Sequence, residues 1–271
     1  MRSGGVKGQK EFWRRARRLS LGAAGPAVLA LLVACGSGGS QTGSVVGRSD
    51  SAALTESRGK QLRGASDTSF AADTSRSREA GAARSTIVFA GTSITAGLGL
   101  EPDSAYPMLI QRKIDSAGLP FQVVNAGVSG ETSSGLLDRL NWLLRGAFDV
   151  FVVETGANDG LRGIPAATLK TNLETALDRI KAGRPEARIV LIQMEALPNL
   201  GAQYTSAFHA VFPAVAREKG VTLLPFLLDG VAGHRGLNQG DGVHPNNAGE
   251  RIVAANVWRG LEPILAARAQ K

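Results

Sequence analysis

From residue 85 onward, short continuous apolar runs alternate with longer segments whose apolar residues recur at helical spacing. The runs predict buried strands at residues 86–90, 122–125, 150–154, 189–194 and 222–226. The longer segments predict helices at residues 104–117, 132–145, 166–182, 203–219 and 247–268. Strands that are apolar throughout and alternate with amphipathic helices imply a mostly parallel sheet covered on both faces. The pattern therefore predicts an α/β fold, a three-layer α/β/α sandwich around a five-stranded sheet.

The first 34 residues follow another pattern, a basic stretch through Arg18 and then an apolar run over residues 19–34. Glycine and proline interrupt this run, which is shorter than the roughly 20 residues of a membrane-spanning helix. Residues 32–36, Leu-Val-Ala-Cys-Gly, resemble the lipobox of a bacterial lipoprotein signal. We predict a lipoprotein signal peptide at residues 1–34 and lipidation of Cys35. An ordinary secretory signal and a twin-arginine signal around Arg17 are the alternatives.

Residues 35–85 are rich in glycine, serine, threonine and alanine and contain few large apolar side chains. Such a segment cannot bury enough surface to offset the entropy lost on ordering. We predict a disordered tether, which as a coil of about 50 residues would span roughly 40 Å. Cys35 is the only cysteine, so an intramolecular disulfide is impossible. Residues 86–271 are the predicted folded domain.

The charge of the chain is concentrated at its beginning. The whole sequence carries a formal net charge of +8, and seven of its 31 lysines and arginines lie within residues 1–34. From residue 86 onward there are 17 basic and 17 acidic side chains. A neutral domain has no excess of positive charge to attract the phosphate backbone of a nucleic acid, so we expect no nucleic-acid partner.

Polar, glycine-containing motifs follow the predicted strands. Residues 91–93 (Gly-Thr-Ser) come after the first strand, 125–127 (Asn-Ala-Gly) after the second, 156–159 (Gly-Ala-Asn-Asp) after the third, and 241–245 (Asp-Gly-Val-His-Pro) after the fifth. In doubly wound sheets, functional sites gather beyond the carboxyl ends of the strands. The four motifs are therefore expected to converge on one edge of the sheet.

The last motif places Asp241 three residues before His244, a spacing that suits a carboxylate orienting an imidazole. The other two histidines, His209 and His234, lack such a neighbour. A zinc hydrolase needs three or four clustered ligands, which these histidine positions do not supply. We therefore expect neither a metal nor another cofactor.

Together the four motifs resemble, in order and spacing, the four blocks of the SGNH (GDSL-type) hydrolases, over about residues 87–265. The resemblance is greatest to the bacterial thioesterase, lysophospholipase and arylesterase group, through residues 128–133, 158–163 and 198–204. It implies a flavodoxin-like sandwich and hydrolysis by a serine nucleophile. An α/β-hydrolase is disfavoured because residues 91–95, Gly-Thr-Ser-Ile-Thr, lack the second glycine of a nucleophile elbow.

The resemblance also implies the role of each site residue. Ser93 would be the nucleophile, His244 the general base, and Asp241 the carboxylate that orients the imidazole. The oxyanion hole would consist of the backbone N–H groups of Ser93 and Gly127 and the side-chain amide of Asn158. Taken singly, each of these residues could instead be a turn, a cap or a surface residue.

One position departs from the family pattern. Thr92 stands where the family usually has an aspartate, and a hydroxyl accepts fewer hydrogen bonds from the nucleophile loop than a carboxylate does. Glu154, Glu195 and His209 show no partner in the sequence and are assigned to structure or surface. Six apolar residues flank the expected site and could line an acyl groove or belong to the core: Leu98, Leu100, Leu161, Ile164, Leu197 and Leu200.

These observations predict an exported lipoprotein of the cell envelope, in the periplasm or at the cell surface, held to the membrane through Cys35. Its domain would hydrolyse carboxylic esters, and thioesters or lysophospholipids as further substrates. A carbohydrate O-deacetylase on the same fold and a catalytically silent binding lipoprotein are the alternatives.

Overall fold

The computed structural model describes residues 84–270. The predicted signal peptide, Cys35 and the tether through residue 83 lie outside the described residues, so these assignments stay predictions. Five strands form one sheet: Ser85–Gly91 (β1), Phe121–Gly127 (β2), Val150–Val153 (β3), Arg188–Ile192 (β4) and Thr222–Leu224 (β5).

The strand order is β2-β1-β3-β4-β5, and all neighbouring strands are parallel. This is the flavodoxin-like order, in which the connections after β1 and β3 leave the sheet in opposite directions and open a crevice between the two strands. The register aligns Ala90 with Val153 and Gly91 with Gly127, so the carboxyl ends of β1, β2 and β3 lie side by side. The predicted fold class is confirmed.

Helices cover both faces of the sheet. Within residues 84–270 the α-helices are Ser93–Ala96 (α1), Tyr106–Ser116 (α2), Ser133–Leu143 (α3), Ala157–Leu161 (α4), Ala166–Gly183 (α5), Ala202–Lys219 (α6) and Asn247–Ala269 (α7). One layer is formed by α2 and α7, which pack on each other, with α2 also against β2. The other layer is formed by α5 between α3 and α6.

The central strands supply the core. All four residues of β3 are buried, as are Ile87 and Phe89 of β1, because helices cover these strands on both sides. The helices direct residues such as Leu173 and Leu261 onto the sheet. None of the helices within residues 84–270 combines the length and the hydropathy that crossing a bilayer requires.

The ten predicted strands and helices are observed with boundaries that differ by at most two residues. The sequence pattern missed α1 and α4, which have four and five residues. A helix of one turn is too short to show a periodic apolar face, so periodicity cannot predict it. Both of these short helices lie at the carboxyl ends of strands, where loops and short helices connect the longer elements.

Candidate active site

The structure brings the four motifs together at the carboxyl edge of the sheet. Ser93 begins α1 directly after β1, and Gly127 is the last residue of β2. Asn158 lies in α4 after β3, and His244 lies in the loop that precedes α7. These positions surround the crevice between β1 and β3, where doubly wound sheets commonly carry their sites.

Ser93, His244 and Asp241 are joined by two hydrogen bonds. His244 Nε2 lies 2.8 Å from Ser93 Oγ, although the two residues are 151 positions apart in the chain. His244 Nδ1 lies 2.6 Å from Asp241 Oδ2. The resulting order of carboxylate, imidazole and hydroxyl is the arrangement in which an imidazole can take a proton from a serine.

The turn around Asp241 keeps its carboxylate ionised. Asp241 Oδ1 accepts the backbone N–H of His244 at 3.0 Å and that of Val243 at 2.9 Å. Hydrogen bonds from the His244 backbone, the His244 ring and the Val243 backbone lower the pKa of Asp241 to about 2. Gly242 has a φ of +70°, a backbone conformation that glycine adopts at little cost, and this allows the tight turn. Asp241 is therefore an acceptor for the imidazole at neutral pH.

Gln239 connects the His244 loop to the turn that follows α1. Its backbone N–H donates to His244 O at 2.7 Å. Its side-chain Nε2 donates to Leu98 O at 2.7 Å and to Pro245 O at 2.9 Å. No sequence pattern pointed to this residue, because a glutamine in a loop acquires a partner 141 residues away only through the fold.

Two of the predicted oxyanion donors have a hydrogen available for a hydrogen bond to a substrate oxygen. Ser93 is the first residue of α1, so its N–H has no acceptor within the helix. Asn158 Nδ2 donates one hydrogen to Glu131 O at 2.9 Å. An amide nitrogen carries two hydrogens, so one remains for the substrate.

Gly127 has a different environment from the one that its predicted role suggests. Its N–H donates to Asn125 Oδ1 at 3.0 Å, so donation to an oxyanion requires this hydrogen bond to be shared or broken. A Cβ atom at this position would lie 2.3 Å from Ala96 N and 2.8 Å from Ala96 Cα. A glycine is therefore needed here for the close approach of β2 to α1, whatever its N–H contributes.

Glu154, which the sequence assigned to structure or surface, lies against the loop that carries Ser93. It is 1% exposed, and it accepts hydrogen bonds from Thr92 and Thr95 on either side of Ser93. Burial raises its pKa, and the hydrogen bonds from Thr92 and Thr95 act in the opposite direction. This residue immediately follows the buried strand β3, and only its contacts across the sheet distinguish it from an ordinary polar residue at a strand end.

Glu195 and His209 pair with each other, with Oε1 and Nδ1 2.7 Å apart. The imidazole of His209 is 59% exposed, which agrees with a surface assignment. Within residues 84–270, no three histidine, cysteine, aspartate or glutamate side chains are grouped as metal ligands would be.

Five half-exposed apolar side chains lie on the loops and helix ends at the carboxyl edge of the sheet. We call them the apolar rim: Leu98, Val128, Leu161, Leu197 and Val243. Leu98, Leu161 and Leu197 are 46%, 47% and 40% exposed, which excludes them from the core. Leu100, Ile164 and Leu200 are partly buried.

The GDSL-like Lipase/Acylhydrolase family matches residues 89–252. Esterase TesA of Pseudomonas aeruginosa is 40% identical over 185 residues, which are 68% of this chain and 91% of that protein. Thioesterase 1/protease 1/lysophospholipase L1 of Escherichia coli K12 is 36% identical, over 68% of this chain and 86% of that protein. The crystal structure of the psychrotrophic esterase EstA from Pseudoalteromonas superposes with a TM-score of 0.64 at 31% identity, over 67% of this chain and 98% of that one. The fold, the order of the four motifs and the similar proteins all indicate one family, and the chain belongs to the GDSL-like lipase/acylhydrolase family.

Proposed function

We propose that this protein is a serine esterase that hydrolyses carboxylic esters through an acyl-enzyme on Ser93. The observation that carries the proposal is the hydrogen-bonded series Asp241, His244 and Ser93, with separations of 2.6 Å and 2.8 Å. A serine hydroxyl is a weak nucleophile unless a neighbouring base removes its proton during attack. The hydrogen-bond distance between His244 Nε2 and Ser93 Oγ supports His244 as that base.

In the first half-reaction, Ser93 Oγ attacks the ester carbonyl carbon while His244 takes the hydroxyl proton. Asp241 accepts from His244 Nδ1–H, which fixes the tautomer and stabilises the imidazolium. The N–H of Ser93 and the free amide hydrogen of Asn158 bind the oxyanion, and Gly127 adds its N–H by sharing it with Asn125. His244 then gives its proton to the leaving alkoxide as the C–O bond breaks.

In the second half-reaction, His244 removes a proton from a water molecule that attacks the acyl-enzyme. The same donors bind the second oxyanion, and the proton returns to Ser93 Oγ as the acid leaves. Each step uses groups that this chain contains.

The apolar rim supports an acyl substrate in preference to a sugar ester. Leu98, Leu161 and Leu197 present apolar surface around the site, and burial of such surface against an acyl chain is favourable. Proteins similar to this chain are named esterase, thioesterase, lysophospholipase and arylesterase. We therefore propose thioesters and lysophospholipids as further substrates.

Labelling with a fluorophosphonate tests the nucleophile. Wild-type protein should be labelled at Ser93, and Ser93→Ala and His244→Ala should abolish labelling. Absence of labelling in correctly folded wild type would favour a catalytically silent binding lipoprotein.

A panel of p-nitrophenyl acyl esters set against acetylated sugars tests the substrate class. Preference for medium-length acyl chains would support the acyl esterase. Activity on acetyl groups alone would instead identify a carbohydrate O-deacetylase.

The cellular location is a separate proposal, which rests on the lipobox-like residues 32–36. Lipidation of Cys35 would anchor the protein in the cell envelope. Wild-type protein expressed in its host should partition into the detergent phase of a Triton X-114 extract, whereas Cys35→Ser should remain in the aqueous phase. Equal partitioning of the two would contradict the anchor.

A further inference from the structure

The carboxyl group of Glu154 lies between β3 and the loop that carries the nucleophile. The backbone N–H of Glu154 donates to Ala90 O at 2.9 Å, which places the residue beside the carboxyl end of β1. Only 1% of the residue is exposed. A buried carboxylate is costly unless it is fully hydrogen-bonded, so its partners indicate why the position is polar.

Three donors from the nucleophile loop converge on this carboxylate. Glu154 Oε2 accepts the backbone N–H of Thr92 at 2.7 Å and the hydroxyl of Thr95 at 2.8 Å. The Thr92 hydroxyl lies 3.0 Å from both carboxylate oxygens. Glu154 therefore holds the residue before Ser93 at two atoms and the residue two positions after it at a third.

Thr92 occupies the N-cap position of α1, yet its side chain does not cap the helix. A threonine at this position commonly accepts an N–H from the first turn. Here the hydroxyl is directed to Glu154 instead. The loop is thus fixed by a contact across the sheet and not by the local contact that the sequence favours.

Glycine at position 91 makes room for this carboxylate. A Cβ atom there would lie 2.7 Å from Glu154 Oε2 and 2.0 Å from Thr95 Oγ1. Glu154 also precedes Asn158 by four residues, so one short segment carries both the carboxylate that holds the Ser93 loop and the proposed oxyanion donor.

We infer that Glu154 is a positioning residue, which holds Ser93 at a fixed distance from His244 and Asn158 by binding Thr92 and Thr95. The inference rests on the proposed esterase function. It also gives Thr92 a role, because the backbone N–H and the hydroxyl of Thr92 both donate to the carboxylate of Glu154. A carboxylate on the nucleophile loop would face Glu154 as a second acid in the same buried space. The neutral donor at position 92 and the acid at position 154 thus act as a pair.

The test compares replacements that keep or remove the acceptor. Glu154→Gln retains a carbonyl oxygen for Thr92 N–H and Thr95, and its amide can donate to the Thr92 hydroxyl. We expect a kcat within about threefold of wild type for this variant, since the donors keep partners. Glu154→Met removes every acceptor at similar volume, and kcat should fall by about 10- to 100-fold with little change in KM, because the nucleophile is displaced from its attack geometry.

Glu250→Met is the matched control. Glu250 is also 1% exposed, but it accepts the backbone N–H of Tyr106 at 2.7 Å rather than a donor of the nucleophile loop. Its replacement should lower the melting temperature while kcat of the folded enzyme stays near that of wild type. Equal kcat losses in Glu154→Met and Glu250→Met would overturn the inference, as would an unchanged kcat in Glu154→Met.

A second pair of variants keeps the test decisive if Glu154→Met does not fold. Thr92→Ser keeps the hydroxyl and should retain the wild-type kcat, whereas the isosteric Thr92→Val should lose several-fold in kcat and in fluorophosphonate labelling rate. In the Glu154→Gln background the loss of kcat caused by Thr92→Val should change, because the two residues are hydrogen-bonded to each other directly. Equal kcat values for Thr92→Ser and Thr92→Val would overturn the inference. A wild type that neither hydrolyses esters nor becomes labelled would overturn the proposed function itself.

Discussion

Asn158 is the one side chain among the three proposed oxyanion donors. Its amide is oriented by a 2.9 Å hydrogen bond to Glu131 O, which leaves a second hydrogen for the substrate. Asn158→Ala should lower kcat by about 10²- to 10³-fold, the usual cost of losing one such donor. The measurement is steady-state hydrolysis of a p-nitrophenyl ester that the wild type accepts.

Asn256→Ala is the control for Asn158→Ala. Asn256 also donates its amide to a backbone carbonyl, that of Asp229 at 2.8 Å, but it lies on α7. Asn256 is partly buried, and its amide bonds the backbone oxygens of Leu227 and Asp229, which are not groups of the proposed site, so its removal should leave kcat within about twofold of wild type. A kcat loss in Asn158→Ala no larger than that in Asn256→Ala would remove Asn158 from the oxyanion hole.

The chemically distinctive residues could be selected from the sequence because their motifs are local. Asp241 and His244 are three positions apart, and their contact forms within one turn of chain. Glu154 and Gln239 could not be selected, because their partners are 62 and 141 residues away. A glutamate after a strand and a glutamine in a loop have no local signature, so their roles depend on which strands become neighbours.

The close contact between β2 and α1 depends on a glycine at the end of β2. Gly127→Ala would place a methyl group 2.3 Å from Ala96 N, and backbone atoms cannot move aside as a flexible side chain can. We expect the free energy of unfolding to fall by about 1–3 kcal/mol, the usual cost of overpacking. Because α1 also carries Ser93, kcat should fall as well.

Gly146→Ala provides the comparison for Gly127→Ala. A Cβ atom at Gly146 would have its nearest neighbour, Leu143 O, at 3.8 Å, which is ordinary van der Waals contact. Denaturant unfolding of both variants measures the difference. Similar unfolding free energies for the two would show that β2 and α1 do not require a glycine at this contact.

Buried acids give the stability of the domain as a whole a defined dependence on pH. Glu250 joins α7 to α2 through Tyr106 N–H, and burial raises its pKa to about 8 from an ordinary 4.5. Burial also raises the pKa of Glu154. Between pH 4.5 and about 8 the folded protein therefore binds more protons than the unfolded chain, and stability falls as the pH rises through this window.

Asp241 acts in the opposite direction at low pH. Its pKa is lowered from 3.8 to about 2, so its contribution to stability is present above this window and is lost as the pH falls through it. We expect the melting temperature to be highest near pH 4–5, between the two windows. Glu250→Gln should flatten the decline toward pH 8, whereas Glu262→Gln, which replaces an exposed acid on the same helix, should not. Parallel melting curves for the wild type and Glu250→Gln across pH 5–8 would contradict this account.

The sequence by itself determined the elements and the chemistry. Continuous apolar runs predicted the five strands and helical spacing of apolar residues predicted the five longer helices, because burial imposes a pattern that each segment carries on its own. The four motifs indicated a serine hydrolase, since the nucleophile, the base and its carboxylate must be particular residue types. Only the tertiary structure decided how these parts are held. It joined Thr92 and Thr95 to Glu154, joined Gln239 to the turn after α1, and gave the Gly127 N–H an acceptor within the protein. Such contacts depend on the distances between strands that are remote in sequence, and no local pattern encodes those distances.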